Sequence, residues 1–125
     1  MKNKILKKIA SGIIVSFTLS LFMISCEKYT FDPPKVDPNV PLSFQTDIVP
    51  IFTAKCAGCH GGGLNPDLRA ANAYNSLNNG NYINRAEPDK SIIYTKLYES
   101  SHNPNASEIE KQKILVWIIQ GAGNN

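Results

Sequence analysis

The 125-residue sequence predicts an all-α fold. Three observations support this class: apolar residues recur at helical spacing in short segments, start and stop signals flank the last segment, and no strand-like alternation is sustained after the N-terminal apolar run. About four short helices joined by irregular loops explain the pattern. No internal repeat is visible, so we expect a single small domain.

The first predicted helix contains Phe44, Ile48, Ile51 and Phe52, which recur at helical spacing. Pro50 limits where this helix can begin, because proline is tolerated in the first turn of a helix and not in its interior. The helix leads directly into the cysteine-containing segment that follows it.

Two further short helices are predicted in the middle of the chain. The first covers residues 68–77, where alanine, leucine and tyrosine are frequent. The second covers residues 92–100, with Ser91 as its N-cap, because a serine hydroxyl can accept a hydrogen bond from an early backbone N–H.

The C-terminal helix has the clearest boundaries. Ser107 and Glu110 fit a capping box, in which each side chain satisfies a backbone N–H of the other residue. Gly121 fits the stop signal at the other end, so the helix is predicted over residues 108–120 with Trp117 in the core.

Residues 56–60 read Cys-Ala-Gly-Cys-His, a C-x-x-C-H motif. In this arrangement two thiols add to the vinyl groups of a porphyrin and the adjacent histidine reaches the iron. The motif predicts one covalently attached haem c, held by Cys56 and Cys59 with His60 as proximal ligand. The other cysteine and histidine of the chain are Cys26 and His102.

Three glycines, Gly61, Gly62 and Gly63, follow the motif. Because glycine has no Cβ atom, they allow a sharp turn and a close approach to a flat ligand. A flexible loop explains them equally well.

The N-terminus has the pattern of an export signal. Four lysines precede an apolar run over residues 9–24, and the small Ser25 stands before Cys26. Residues 1–25 are therefore predicted to be a lipoprotein signal peptide, with Cys26 acylated as the mature N-terminus. The run is shorter than the ~20 residues that span a bilayer, which makes a permanent transmembrane helix the weaker alternative. An unmodified thiol at Cys26 is the other.

Residues 26–41 are predicted to be a tether. Four prolines among polar residues favour extended polyproline II and disfavour helix. At ~3.1 Å per residue the segment reaches roughly 45 Å. The alternative is that it wraps over the surface of the domain, which is predicted over residues 42–125.

The formal net charge of +3 comes from the signal. Four of the thirteen Lys and Arg residues precede Cys26, so nine basic residues face ten acidic ones in the remainder, a net charge of −1. Nucleic-acid binding needs clustered basic residues, and none remain, so we expect no nucleic-acid partner.

A resemblance to a known family rests on the motif and on flanking residues: Phe44, Asp47, Ile48, Pro50, Ile51, residues 56–61, Glu87, Pro88, Ser91, Tyr94, Trp117, Ile118, Gly121 and Ala122. In these residues it resembles the small lipoprotein-anchored c-type cytochromes of the class I cytochrome c superfamily. The resemblance implies N- and C-terminal helices crossing beside the haem, and an electron carrier rather than an enzyme. It also implies redox partner proteins and a lipid anchor in a bacterial membrane, facing the periplasm and most often the outer membrane.

The family usually supplies a methionine as second axial ligand, in a Met-Pro pair before the last helix. Here the corresponding pair is Asn103-Pro104, and the two methionines, Met1 and Met23, lie in the signal. We expect His102, one residue earlier, to be the sixth iron ligand. The alternatives are a solvated His102 beside an open iron site, or ligation by another group such as Lys96 or Lys111.

These alternatives separate two functions. Two protein ligands favour outer-sphere electron transfer, whereas an open site favours gas or peroxide binding by a sensor or weak peroxidase. A zinc site built from both cysteines of the motif with His60 and His102, and a thioredoxin-like dithiol, are the haem-free alternatives.

The resemblance also suggests supporting roles. Pro66 is the expected carbonyl partner of the second ring nitrogen of His60. Apart from the resemblance, a wall of the pocket is expected from Phe52, Leu68, Tyr74, Ile93 and Leu97, with plain core packing as the alternative. Haem propionates could meet Asn81, Tyr82 or Arg85, with surface solvation as the alternative for each.

Overall fold

The computed structural model describes residues 35–125. The predicted signal peptide, Cys26 and the first part of the predicted tether lie outside these residues. Within them the chain is helical and contains no strand, which confirms the all-α class for the described part. No helix between residues 35 and 125 is both long enough and apolar enough to cross a membrane.

Four α-helices follow one another: α1 (Val49–Lys55), α2 (Ala73–Asn79), α3 (Ile92–Thr95) and α4 (Glu108–Ile119). A π-helical turn, Phe44–Ile48, runs directly into α1, and two 3₁₀ turns, Pro88–Lys90 and Lys96–Tyr98, flank α3. Irregular loops join these elements, as the sequence predicts.

The N-terminal helical segment begins at Ser43. The Ser43 hydroxyl accepts a hydrogen bond from the Thr46 N–H, and the Asp47 carboxylate accepts one from the Ser43 N–H at 2.9 Å. Pro50 lies in the first turn of α1, where its missing N–H costs little. The helix ends at Lys55, and Cys56 is its C-cap residue.

Helix α2 begins later than predicted, at Ala73 instead of residue 68. The reason is Asp67, whose carboxylate accepts hydrogen bonds from the Arg69 N–H, the Arg69 guanidinium and the Asn72 amide. An aspartate that hydrogen-bonds residues just ahead of it stabilises a turn in place of a helix. These bonds also lower the pKa of Asp67.

Helix α3 is shorter than predicted, because its last turn tightens into the 3₁₀ turn that ends at Tyr98. Ser91 is the N-cap residue of this helix, as predicted, but its side chain makes no capping hydrogen bond. The buried Ser91 hydroxyl accepts a hydrogen bond from the Asn84 N–H at 2.9 Å instead, and so holds the loop before α3.

Helix α4 has both halves of the capping box. The Ser107 hydroxyl accepts from the Glu110 N–H, and the Glu110 carboxylate accepts from the Ser107 N–H at 2.7 Å. Gly121 follows the helix with a φ of +99°, a conformation that glycine adopts without strain. The predicted boundaries of this helix are confirmed to within one residue.

An aromatic cluster forms the centre of the core. Phe44 is fully buried, and its ring centre lies 5.0 Å from that of Trp117, 5.3 Å from that of Tyr74 and 6.3 Å from that of Phe52. Aromatic rings at these separations attract each other beyond the burial of their surface. The cluster holds the N-terminal segment against α4.

Residues 121–125 return from α4 to the N-terminal segment. The Asn125 carbonyl accepts hydrogen bonds from the Gln45 N–H at 3.0 Å and from the Ser43 hydroxyl at 2.7 Å. The Trp117 indole N–H donates to the Gly123 carbonyl at 2.9 Å. The two ends of the described domain are therefore joined by hydrogen bonds over the aromatic cluster.

The described end of the predicted tether, residues 35–41, lies along α4. The Val36 N–H donates to Gln112, and the Gln120 amide donates to the Pro38 carbonyl at 2.9 Å and the Val40 carbonyl at 2.8 Å. These hydrogen bonds correspond to the alternative in which this part of the chain covers the domain surface.

The capping box predicts an acid dependence of stability. Partial burial raises the pKa of Glu110, but hydrogen bonds from Ser107 and the charges of Lys55 and Lys113 outweigh it, so the net pKa is lowered. A carboxyl with a lowered folded-state pKa stabilises the fold above its unfolded pKa of about 4.3 and loses this contribution as the pH falls.

We therefore expect the free energy of unfolding of the wild type to fall more steeply below about pH 5 than that of Glu110→Gln, which has no titrating group at this position. Urea unfolding at a series of pH values measures both curves. If the free energies of unfolding of the two proteins fell in parallel with pH, Glu110 would not be the carboxyl responsible for this acid dependence.

Candidate functional site

A cavity of about 350 Å³ opens between α1, α3 and the loop before α4. We call residues 99–106, which precede α4, the distal loop. The lining residues come from four parts of the chain: Lys55, Cys56, Cys59 and His60; Leu64, Asn65, Pro66 and Leu68; Tyr82, Ile92, Ile93, Lys96 and Leu97; and Ser101, His102, Asn105 and Ala106. The cavity thus contains both cysteines and both histidines of the described residues.

One turn of chain carries Cys56, Cys59 and His60 to the cavity. The N–H groups of Cys59 and His60 both donate to the Cys56 carbonyl, at 3.1 Å and 2.9 Å. Both cysteines are free thiols; Cys56 is half-buried and Cys59 is exposed. The spacing of the motif therefore places all three side chains on one wall.

Burial, with a smaller contribution from Glu110, raises the pKa of the Cys56 thiol to about 11. This thiol is protonated at neutral pH. Thioredoxin-like chemistry requires a thiol whose pKa is lowered to form the nucleophilic thiolate. The environment of Cys56 therefore does not favour the dithiol alternative.

His60 is oriented by the hydrogen bond expected for it. Its Nδ1 lies 3.1 Å from the carbonyl oxygen of Pro66. A carbonyl can only accept, so this contact assigns the proton to Nδ1 and leaves the lone pair on Nε2. The Leu68 N–H also donates to the His60 carbonyl at 2.8 Å, which closes the loop between the two residues.

His102 lies across the cavity from His60. The ring centres are 6.2 Å apart and the ring planes differ by 35°. Nδ1 of His102 is hydrogen-bonded to the Ser101 hydroxyl at 2.9 Å. In each imidazole Nδ1 is thus engaged within the protein, and Nε2 is the nitrogen available to a ligand.

The two lysines considered as alternative iron ligands differ in position. Lys96 lines the cavity, and its ammonium pairs with Glu99 at 2.8 Å. Lys111 is not among the lining residues, and its ammonium donates to Asn103 at 2.5 Å and Glu108 at 2.7 Å. Both ammonium groups are engaged by carboxylates in the structure.

The apolar wall agrees in part with the prediction. Leu68, Ile93 and Leu97 line the cavity, whereas Phe52 and Tyr74 do not. Those two rings pack on Phe44 in the aromatic cluster instead, Phe52 from α1 and Tyr74 from α2.

The three residues considered as partners of haem propionates, Asn81, Tyr82 and Arg85, occupy different places in the structure. Tyr82 lines the cavity, and Asn81 does not. The Arg85 guanidinium donates to the Gly121 carbonyl at 2.9 Å and to Asn78 at 2.7 Å, so it secures the C-terminal segment instead.

Two apolar residues that were not predicted to line the cavity, Leu64 and Ile92, do so. They are unusually exposed for large aliphatic side chains, at 59% and 43%. The available signal was a leucine in an otherwise Gly- and Asn-rich loop. Exposed apolar side chains at a cavity mouth are typical of a ligand-binding surface.

The glycines after the motif are explained by protein contacts. A Cβ atom on Gly61 would lie 2.8 Å from the Ala57 carbonyl oxygen. Gly62 has a φ of +101°, and a Cβ there would meet Arg69, whereas Gly63 has open space around it. Close backbone approach therefore requires glycine at the first position and conformation requires it at the second.

Between residues 35 and 125, no group of three or more His, Cys, Asp or Glu side chains is arranged to hold a metal ion. A structural zinc site needs four such ligands. The zinc alternative therefore lacks a ligand cluster in the described part of the chain.

Comparison of the chain with protein-family models, with curated proteins and with solved structures finds no match.

The glycine contacts generate a matched pair of variants. Gly61→Ala should destabilise the fold by about 1–3 kcal/mol, because the Ala57 carbonyl is backbone and cannot move aside easily. Gly63→Ala should stay within about 0.5 kcal/mol of the wild type, since nothing lies within 4 Å of its added methyl group. Urea unfolding measures both; equal effects would contradict the packing explanation.

Proposed function

We propose that this protein is a mono-haem c-type cytochrome that transfers electrons between redox proteins outside the cytoplasm. The observation that carries the proposal is the cavity that Cys56, Cys59, His60 and His102 all line. Two thiols and two imidazoles are the complete set of groups needed to attach a haem covalently and to ligate its iron on both sides.

The cavity fits a flat apolar cofactor. Its volume lies at the lower end of the roughly 300–1,000 Å³ typical of ligand pockets, and Leu68, Ile93 and Leu97 supply an aliphatic wall. Leu64 and Ile92 at the mouth are apolar surface that a porphyrin would cover. The free thiols of the motif stand on the same cavity.

The separation of the histidines supports a ligand pair. Imidazole binds metals at about 2 Å, and the ring centre lies about 1 Å beyond the bonding nitrogen, so two rings on opposite sides of one ion have centres about 6 Å apart. The distance between His60 and His102 is 6.2 Å. This agreement favours His102 over Lys96 and Lys111 as the sixth ligand.

When bound, haem supplies an iron that changes between Fe(II) and Fe(III). The chain's own residues would set how readily it does so. The Pro66 carbonyl orients the His60 ring through the Nδ1 hydrogen bond and leaves Nε2 as the nitrogen for the iron. His102 in place of the methionine that the family usually supplies would favour Fe(III) over Fe(II) and so lower the reduction potential.

The proposed location is outside the cytoplasm, on the periplasm-facing side of a bacterial membrane and most often the outer membrane, with Cys26 as the lipidated residue. Residues 35–41 lie along α4, which removes them from any free spacer. The redox partners would then be membrane-associated or periplasmic.

The first test is covalent attachment. Protein produced in a bacterial periplasm with haem-attachment machinery should keep its haem after denaturation in detergent, because thioether bonds survive unfolding. Haem staining on a denaturing gel measures this retention. Cys56→Ser combined with Cys59→Ser should lose it, whereas Cys26→Ser should lose only the lipid. A colourless wild type from this host would refute the proposal.

The second test concerns the sixth ligand. The ferric wild type should be low-spin, and His102→Ala should become high-spin because one axial imidazole is removed. Absorption and electron paramagnetic resonance spectra measure the spin state. Asn105→Ala, on the same loop, and Lys96→Ala should remain low-spin. A high-spin wild type that His102→Ala leaves unchanged would favour gas or peroxide binding over electron transfer.

A further inference from the structure

Lys111 is unusual because its charged side chain is buried. It is 1% exposed, and it is the one charged residue in the buried class among residues 35–125. Removing an ammonium from water is costly unless its donors are paired. The neighbours of Lys111 therefore have to supply compensating interactions.

Three groups surround the ammonium. Nζ donates to the Asn103 Oδ1 at 2.5 Å and to the Glu108 Oε1 at 2.7 Å, and it lies 4.6 Å from the centre of the Tyr98 ring. The Tyr98 ring is itself held by Tyr94, with hydroxyls 3.1 Å apart and ring centres 5.4 Å apart. The ammonium is thus held by a cation–π contact with the Tyr98 ring and by a hydrogen bond to the Glu108 carboxylate.

Asn103 belongs to the distal loop and follows His102 directly. The loop's described backbone hydrogen bonds are local: the N–H groups of His102 and Asn103 donate to Glu99, and that of Asn105 donates to His102. Within residues 35–125, two side-chain hydrogen bonds join this loop to other elements. One is between Lys96 and Glu99 at the start of the loop, and the other is between Lys111 and Asn103.

We propose that Lys111 is a positioning residue that fixes Asn103 and thereby holds His102 opposite His60. The inference rests on the proposed haem function in one respect only, namely that His102 is an iron ligand. Its physical basis is the asymmetry of the contact: the buried ammonium requires an acceptor at Asn103, whereas the exposed Asn103 side chain has water as an alternative.

Lys111→Met keeps most of the apolar stem and removes the ammonium. With its tie lost, the distal loop should open more often and His102 should leave the iron more often. Exogenous imidazole or azide should then bind the ferric protein about ten-fold more tightly, the factor given by losing one charge-assisted hydrogen bond. A high-spin fraction should appear in the electron paramagnetic resonance spectrum.

Lys113→Met is the matched control. Lys113 is on the same helix, but it is 36% exposed and its ammonium lies 3.7 Å from Asp47, away from the distal loop. Its removal should leave ligand affinity and spin state unchanged. An equal effect of both variants would overturn the inference, because it would show that the loss of one positive charge from α4, and not the bond to Asn103, changes the ligation.

Asn103→Ala and Asn103→Asp test the same contact from the exposed side, without changing a buried residue. Asn103 is exposed, so both variants should fold. Alanine removes the acceptor and should reproduce the loosened ligation of Lys111→Met, whereas aspartate retains an acceptor and should keep the wild-type spin state. A low-spin Asn103→Ala protein with wild-type imidazole affinity would overturn the inference.

Hydrogen exchange separates this inference from the haem proposal. In Lys111→Met the backbone amides of His102, Asn103 and Asn105 should exchange faster than in Lys113→Met, with or without haem. If the wild type lacks covalent haem, the proposed function fails, and unchanged exchange in Lys111→Met then overturns the role of Lys111 separately. Faster exchange with an unchanged ferric spectrum would overturn the inference, because Lys111 would then hold the distal loop without positioning His102.

Discussion

The packing of Phe44 on Trp117 is the contact on which the rest of the structure depends. It joins the N-terminal helical segment to α4, with the centres of these two buried rings 5.0 Å apart. The N-terminal segment ends at Cys56 and so carries the cysteine wall of the cavity, while α4 carries Lys111 and, through it, the distal loop. The same aromatic core therefore supports both the segment that carries the cysteines and the helix that contacts the distal loop.

On each side of the cavity an imidazole is held through Nδ1. His60 uses the carbonyl of Pro66, on the loop that closes after the motif, and His102 uses the hydroxyl of its neighbour Ser101. The two supports differ in strength of constraint. The Pro66 carbonyl is buried backbone, whereas Ser101 is exposed and depends on how its loop is placed. This difference makes the distal side the one where further positioning by Lys111 matters.

Local signals predicted the helices best where the stabilising groups are close in sequence. The capping box of α4 and the glycine after it need only neighbours three or four residues away, and both are present. Prediction was less accurate where side chains have competing hydrogen-bond partners. The Asp67 carboxylate accepts from Arg69 and Asn72 and stabilises a turn that delays α2. Ser91 stands at the N-cap of α3, but its hydroxyl bonds the Asn84 N–H, seven residues earlier, instead of an N–H of the helix.

The sequence by itself determined the chemistry on offer: a C-x-x-C-H motif, one further histidine in the described chain, and no methionine outside residues 1–25. It also determined the helical class and the ends of α4. Only the tertiary structure decided that His102 lies 6.2 Å from His60, that Lys111 turns to Asn103 instead of the cavity, and that Phe52 and Tyr74 belong to the core. The physical reason is that these placements come from contacts between residues far apart in the chain, and burial and packing select them only when the whole domain is assembled.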